Sequence, residues 1–284
     1  MSEVIFQETT CAKKDTIAKI VELMKGAGWK DVSSNPTTDF YVLQSTGESG
    51  DKNLHIQIRS TATGGGSTTD TATTDTNAAS VRLVSGYTPG SPGVAGIFDR
   101  AVSPEAWRNF YIAPTTTAIN LENEMRITYN VNKDRIILII ETPDSLGFAP
   151  VTHYIGLPES FIEEPGSKGL ILASSAYAVT ASAVHITDNA NDLAPLTASA
   201  TRPTYITLPP RSPNSAGKHT PVQAFYGNTT EGWRGRIDGL YFLPAGSVTN
   251  GDTFSVGNKT FKGFVNGVAS NNSFITTVAL VQIS

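Results

Sequence analysis

Four histidines, one cysteine and a few close pairs of acids are the residues here whose types could carry catalysis or hold a metal. His55, His153, His185 and His219 are each more than five residues from the next. No helical H-E-x-x-H pair exists, and any zinc site would need ligands from distant strands. The strand-like settings of His55, His153 and His185 are accounted for more simply by half-buried sheet histidines. Cys11 stands alone, which excludes an internal disulfide and a Cys-rich zinc site. As a nucleophile it would need a neighbouring base, and a small packed residue is the simpler reading. Glycoside hydrolysis requires one carboxyl to donate a proton while another attacks or activates water. Glu122 with Glu124 and Glu163 with Glu164 are candidate pairs, although charges flanking a strand or hinge explain both. Asp188-Asn189-Ala190-Asn191-Asp192 offers oxygen ligands of the kind calcium prefers, but it lacks the spaced acids and distal glutamate of an EF-hand and reads as a turn. Gly64-Gly65-Gly66 is followed by neither Lys-Ser nor Lys-Thr, so it lacks a phosphate loop's lysine. Gly47-Glu48-Ser49-Gly50 misses the spacing of a nucleophile elbow. The sequence therefore assigns no catalytic residue, no cofactor and no metal ligand, and the expectation is a non-enzymatic protein.

Charge narrows the partners. Of 284 residues, 16% are charged and the net charge is −4, against about 25% charged in typical globular chains. Such a surface repels itself weakly and suits repeated subunit contacts. No basic field is present to draw in nucleic acid, so no nucleic-acid specificity is expected. Arg234 with Arg236, and scattered Arg202, Arg211 and Lys218, read as solvated loop residues or subunit contacts. The most apolar run, residues 136–140, has the length of a buried strand and is too short to span a bilayer, so no membrane insertion is expected. Residues 1–10 contain Glu3 and Glu8 and do not read as a signal peptide.

The elements that would position these residues are mostly strands. One helix is expected, because Ile17, Ile20, Val21, Met24 and Ala27 follow the spacing of a single buried stripe. Thr9 or Thr10 is its expected cap, Gly26 or Gly28 its end, and Trp29 packs beneath it. The period then changes to two. Strands are expected at residues 40–43, 54–58, 81–84, 125–131 and 135–141, the last two as a hairpin about Asn132-Lys133-Asp134. Residues 136–140 are apolar at every position, which marks a central strand covered on both faces. Further strands are expected at 169–173, 179–186, 237–243, 253–256, 260–265 and 274–283. Residues 201–221 are Pro-rich and read as extended. Residues 60–77 read as a flexible loop or arm. Residues 88–121 form a Gly/Pro-rich loop whose Ile97, Phe98, Trp107, Phe110, Tyr111 and Ile112 need something to pack on: the chain's own sheet or a neighbouring subunit. Residues 158–166 read as a boundary or hinge.

Taken in order, Gly28-Trp29, Phe40-Tyr41-Val42-Leu43-Gln44-Ser45, Gly47-Glu48-Ser49-Gly50, Leu54-His55-Ile56-Gln57-Ile58, Gly86-Tyr87 and the hairpin from Ile127-Thr128-Tyr129-Asn130-Val131 to Arg135-Ile136-Ile137 resemble the N-terminal region of virion structural proteins of long-tailed bacteriophages. The run from Gly239-Leu240-Tyr241-Phe242-Leu243-Pro244 to Asn250-Gly251-Asp252-Thr253-Phe254 is similar to a β module of phage structural subunits. The resemblance implies a place in the neck, tail or baseplate of the virion, assembly in the host cytoplasm, and homo-oligomeric contacts alongside contacts with other virion proteins.

The expected fold is α+β and mostly antiparallel: an N-terminal α+β domain with long loops over residues 1–160, its helix packed on a sheet, then a C-terminal β-rich domain over 161–284. Two rival functions accompany the structural one. A host-receptor or glycan-binding tail-tip module would stack sugars on aromatics such as Tyr226, Trp233 and Tyr241, although packing in a C-terminal core is the simpler expectation for Trp233 and Tyr241. A virion-associated hydrolase would use Glu163 or another carboxylate.

Overall fold

The structure, a computed structural model, describes residues 4–60, 79–84, 86–99, 108–111, 119–161, 170–175, 184–186, 204–206, 213–228, 232–244, 246–265 and 277–284. Strand β1 (Gln7–Ala12) leads through a 3₁₀ turn into helix α1 (Thr16–Gly26). Four strands follow: β2 (Lys30–Asp31), β3 (Tyr41–Ser45), β4 (Leu54–Ser60) and β5 (Ala79–Val84). Short strands β6 (Tyr87–Thr88), β7 (Ile97–Phe98) and β8 (Arg108–Asn109) precede the long hairpin of β9 (Glu124–Val131) and β10 (Arg135–Glu141). Next come β11 (Val151–Gly156), β12 (Glu159–Ser160), β13 (Ile171–Ser174), β14 (Val184–Ile186) and β15 (Thr204–Ile206). The chain closes with β16 (Val222–Asn228), β17 (Gly232–Pro244), β18 (Thr253–Val256), β19 (Lys259–Val265) and β20 (Thr277–Gln282).

Every strand pairing among the described residues is antiparallel. A six-stranded sheet runs β1-β9-β10-β11-β13-β14, a five-stranded sheet runs β2-β3-β4-β5-β8, and a seven-stranded sheet runs β15-β16-β17-β20-β19-β18 with β12 added beside β17. Strands β6 and β7 form a separate two-stranded hairpin.

Strand β10 shows why the six-stranded sheet lies in the middle. Its side chains alternate between two cores. Ile136, Leu138 and Ile140 join Leu43, Ile56, Val81 and the α1 side chains Ile20, Val21 and Met24. Ile137 and Ile139 join Tyr154, Ala224, Ile237, Phe242 and Ala279. An all-apolar strand is stable only where both faces are covered, and all five residues have no exposed surface. The six-stranded sheet also takes β1 and β9 to β11 from before residue 160, and β13 and β14 from after it. At the start of the expected boundary, Glu159 and Ser160 pair with Arg236 and Gly235, and residues 162–166 lie outside the described residues.

Helix α1 begins later than its expected cap. Thr9 and Thr10 lie on β1, opposite Ile127 and Arg126, because the edge of β9 offers them ladder partners. The helix N-cap is Asp15, without a side-chain capping bond. The helix ends at Gly26 with Ala27 as its C-cap, and Gly28 just beyond has a left-handed φ of +99°. Trp29 is buried, and its Nε1–H donates to Asn132 O at 2.8 Å. No helix among the described residues is long and apolar enough to cross a membrane.

Candidate functional site

The residues first suspected of chemistry are placed apart. His55 on β4 and His153 on β11 are buried. Burial pushes the His55 imidazole below its ordinary pKa. His153 sets its Nε2 3.2 Å from Phe110 O and its ring edge-on to Phe110. His185 lies on β14, and His219 sits in irregular chain. Among the described residues, no three His, Cys, Asp or Glu gather where they could hold a metal. Cys11 is half-buried on β1, and desolvation raises its pKa, the reverse of an activated thiol. Glu122 takes a hydrogen bond from Lys14 at 2.6 Å, and Glu124 is an exposed residue of β9 paired opposite Ala12. Glu163, Glu164, the 188–192 acids, Gly64 to Gly66, Arg202, Arg211, Trp107, Ile112 and the loop at 61–77 lie outside the described residues. Arg234 and Arg236 are not solvated loop residues. Both lie on β17, where Arg234 is buried and Arg236 pairs with Glu159.

Three polar or aromatic constellations stand out instead. The first is centred on Asp39, which is only 2% exposed. Its Oδ2 accepts hydrogen bonds from Tyr87 Oη at 2.7 Å, and from Ser34 Oγ, Asn35 N and Gly96 N at 3.0 Å each. Burial alone raises a carboxyl's pKa, but these four donors outweigh it and hold Asp39 below its ordinary value. Ser34 also accepts from Gly90 N, and Asn35 Nδ2 donates to Gly93 O. One buried charge thus ties the chain at 34–39 to the 87–96 loop at both of its ends. The next residue, Phe40, has a φ of +56°. A non-glycine residue persists there only where its surroundings over-determine it, and Gln57 Nε2 donating to Asp39 O at 2.7 Å is one such constraint.

That anchored loop turns apolar side chains to water. Val94 is 57% exposed and Ile97 is 70% exposed. The apolar residues of 88–121 therefore divide. Phe110 and Tyr111 enter the first core, Phe98 leans on Tyr87 with centroids 5.0 Å apart, and Val94 and Ile97 remain uncovered.

The second constellation joins two turns. Ser45 Oγ donates to Lys133 O at 2.6 Å, Glu48 N to Asp134 Oδ1 at 2.9 Å, and Lys133 N to Glu48 Oε1 at 3.1 Å. With Trp29 bonded to Asn132 O, the segments at 28–29, 45–50 and 132–134 meet at one end of the fold.

The third lies on the outer face of the seven-stranded sheet. Ala224 and Tyr226 point into the second core, so Phe225 between them points outward. A bulge gives β17 one extra residue, Arg234, between the pairs Tyr226–Gly235 and Gly227–Trp233. A one-residue slip reverses side-chain direction, and Trp233 thereby shares the outer face with Phe225. Phe161, directly after β12, joins them, and its N–H donates to Arg234 O at 2.7 Å. Gly235 permits this approach, since a Cβ there would stand 2.6 Å from Tyr226 Cε1 and 2.7 Å from Glu159 O. Of the aromatics expected to stack sugars, Tyr226 is fully buried and Tyr241 is half-buried edge-on to Phe261, whereas Trp233 is 47% exposed.

A scan of known protein-family models and a search of curated proteins give no match to this chain.

Sequence reading missed Asp39 and Phe161. Ser34-Asn35-Pro36 ahead of Asp39 is a local turn signal, but Tyr87 and Gly96 reach Asp39 across 48 and 57 residues, a distance no local pattern spans.

Proposed function

We propose that this chain is a non-enzymatic structural subunit of a tailed-phage virion, in its neck, tail or baseplate, assembling with copies of itself and with other virion proteins. In this reading the N-terminal helix packs on a sheet and the C-terminal β-rich region completes the subunit. The observation that supports it most is the Asp39-anchored loop. A buried carboxylate with four donors is an expensive way to hold a surface loop, and what the loop presents is Val94 and Ile97. Fully burying one such side chain is worth about 1.5–3 kcal/mol. A fixed loop loses little entropy when a neighbour covers it. The low charge fraction, the all-antiparallel β scaffold and the residue-level resemblance given above support the same reading.

The test is twofold. Mass spectrometry of purified phage particles should find the chain, and its absence from them would refute the reading. The double variant V94S/I97S should keep the wild-type urea midpoint while losing incorporation or self-association by light scattering. Unaltered incorporation and association would remove the loop from the interface.

A further inference from the structure

We propose that β1 is a self-pairing edge: two copies of the chain join β1 to β1 antiparallel about a two-fold axis at Thr10, so that their six-stranded sheets become one continuous sheet. The inference goes beyond the virion reading and uses none of the Val94–Ile97 loop residues.

Two bonds fix which way the backbone of β1 faces. Lys13 N–H donates to Asn123 O at 2.8 Å and so continues the β9 ladder. Phe6 N–H turns the other way, to Gln282 O at 2.9 Å. Backbone groups alternate sides along an antiparallel strand. Gln7, Thr9 and Cys11 therefore address β9, and Glu8, Thr10 and Ala12 address the opposite edge. The β1–β9 register runs unbroken from Gln7–Tyr129 to Ala12–Glu124. Among the described residues no strand pairs with β1 on its other side, and Glu8 and Thr10 are exposed. Natural sheets guard such edges with lysine, proline or a bulge. Strand β1 has none of these, and its one charge, Glu8, is paired with Lys262.

The edge is complementary to a copy of itself. A row of open N–H and C=O groups takes an extended backbone. Its ends are set, because Gln282 closes it at Phe6 and the 3₁₀ turn at Lys13 carries the chain away. Pairing about Thr10 fits those limits. Thr10 then opposes Thr10, and Glu8 opposes Ala12. Each Thr10 N–H meets the other C=O, and each Ala12 N–H meets a Glu8 C=O. Moving the axis to Thr9 would run Ala12 beside Phe6, where Gln282 already sits, and would halve the spacing of the two Glu8 residues. The flanks match as well. Ile5, 43% exposed, stands at one end of the edge. Leu121, 41% exposed, stands at the other, where its O accepts from Lys14 N at 3.0 Å. An antiparallel pair brings Ile5 of each copy to the end that holds Leu121 of the other. Such a contact uses the same patch on both copies and closes as a dimer.

Sedimentation equilibrium on the full chain tests this. The chain should dimerise at micromolar concentration. T10P should weaken the dimer tenfold or more and keep a urea midpoint near wild type, because the lost N–H serves no ladder bond and an edge tolerates proline. T9P removes an N–H that faces β9 and should instead lower the urea midpoint. T10K keeps the N–H but sets two lysines opposite each other, and it too should weaken the dimer. In a C11A background, T10C should cross-link to a dimer under mild oxidation, since opposed residues of a hydrogen-bonded pair stand about 5.5 Å apart at Cα, within a disulfide's span. E8C should not, because the two Glu8 positions are offset by about 14 Å along the strands. A monomer at high micromolar concentration, with no T10C cross-link, would overturn the proposal. So would a dimer that T10P and T10K leave unchanged, and its loss in V94S/I97S would then move the self-contact to the loop. Absence of the chain from phage particles would refute the virion reading and leave the β1 contact standing.

Discussion

Removing the Asp39 carboxylate should release the 87–96 loop while leaving the two cores intact. In D39A the four donors to Oδ2 lose their acceptor, as does the exposed Thr38 Oγ1 that donates to Oδ1. Ser34 Oγ and Tyr87 Oη lie 2.9 Å apart and can satisfy each other. Asn35 N and Gly96 N are the groups left without a partner. An unsatisfied buried donor costs about 1–3 kcal/mol, so two of them should cost the variant about 2–6 kcal/mol locally. At 1.4 kcal/mol per factor of ten, that is at least about 30-fold less protection of the loop amides. D39N keeps one oxygen in place but loses charge assistance, which about doubles a hydrogen bond's strength, and should cost about 2 kcal/mol. Hydrogen-exchange mass spectrometry reads this on peptides covering 86–99, with β10 peptides as the internal reference. The pH arm has a definite sign. Asp39 has a lower pKa folded than unfolded. Its contribution is complete above about pH 4, the ordinary carboxylate value, and is lost as pH falls through the folded value. D39N should lack that part of the acid slope. Exchange of the 86–99 peptides within threefold of wild type in D39A would refute the reasoning.

The two-faced central strand gives a paired prediction. L138A and I139A remove fully buried side chains from opposite cores and should each cost about 2–5 kcal/mol by urea denaturation; a cost below 1 kcal/mol for either would mean that face is not packed. Gly156 has a φ of +147°, and a Cβ there would lie 2.4 Å from Arg135 Cα, a backbone atom that cannot swing aside. G156A should therefore cost about 3 kcal/mol or more, from strain and overlap together, and an unchanged urea midpoint would contradict the register at the β10–β11 end.

What the sequence revealed about the fold followed from periodicity. The all-apolar 136–140 run marks β10 as covered on both sides because no one-sided sheet tolerates it. The 3.6-residue stripe from Ile17 to Ala27 marks the body and end of α1, although the expected cap at Thr9 or Thr10 falls on β1 instead. The start of the chain was not legible. Gln7-Glu8-Thr9-Thr10-Cys11-Ala12 has no alternating pattern, and it becomes β1 because β9 supplies a free ladder edge. Strand β16 was hidden for a similar reason, since its partner β17 and a bulge decide which of Phe225 and Tyr226 turns inward. Aromatic type alone nominated Tyr226 and Trp233 equally. Only the register separates a core residue from a surface one.

The exposed loop and the outward aromatic row lie on different sheets. The Val94–Ile97 loop is fastened by Asp39 and Ser34, on the chain that enters β3 of the five-stranded sheet. The aromatic row lies on the outer face of the seven-stranded sheet. Between them stand the six-stranded sheet and two separate cores, with β10 contributing alternate residues to each. Close-packed interiors transmit strain only through groups in contact. Among the described residues, the polar ties of the loop run to Ser34, Asn35 and Gln57, within or beside the five-stranded sheet, while backbone pairing ties the aromatic row to β12, β16 and β17. Strands β10, β11 and β13 each send residues into both cores, so the six-stranded sheet is the layer through which a change at one surface would have to pass to reach the other.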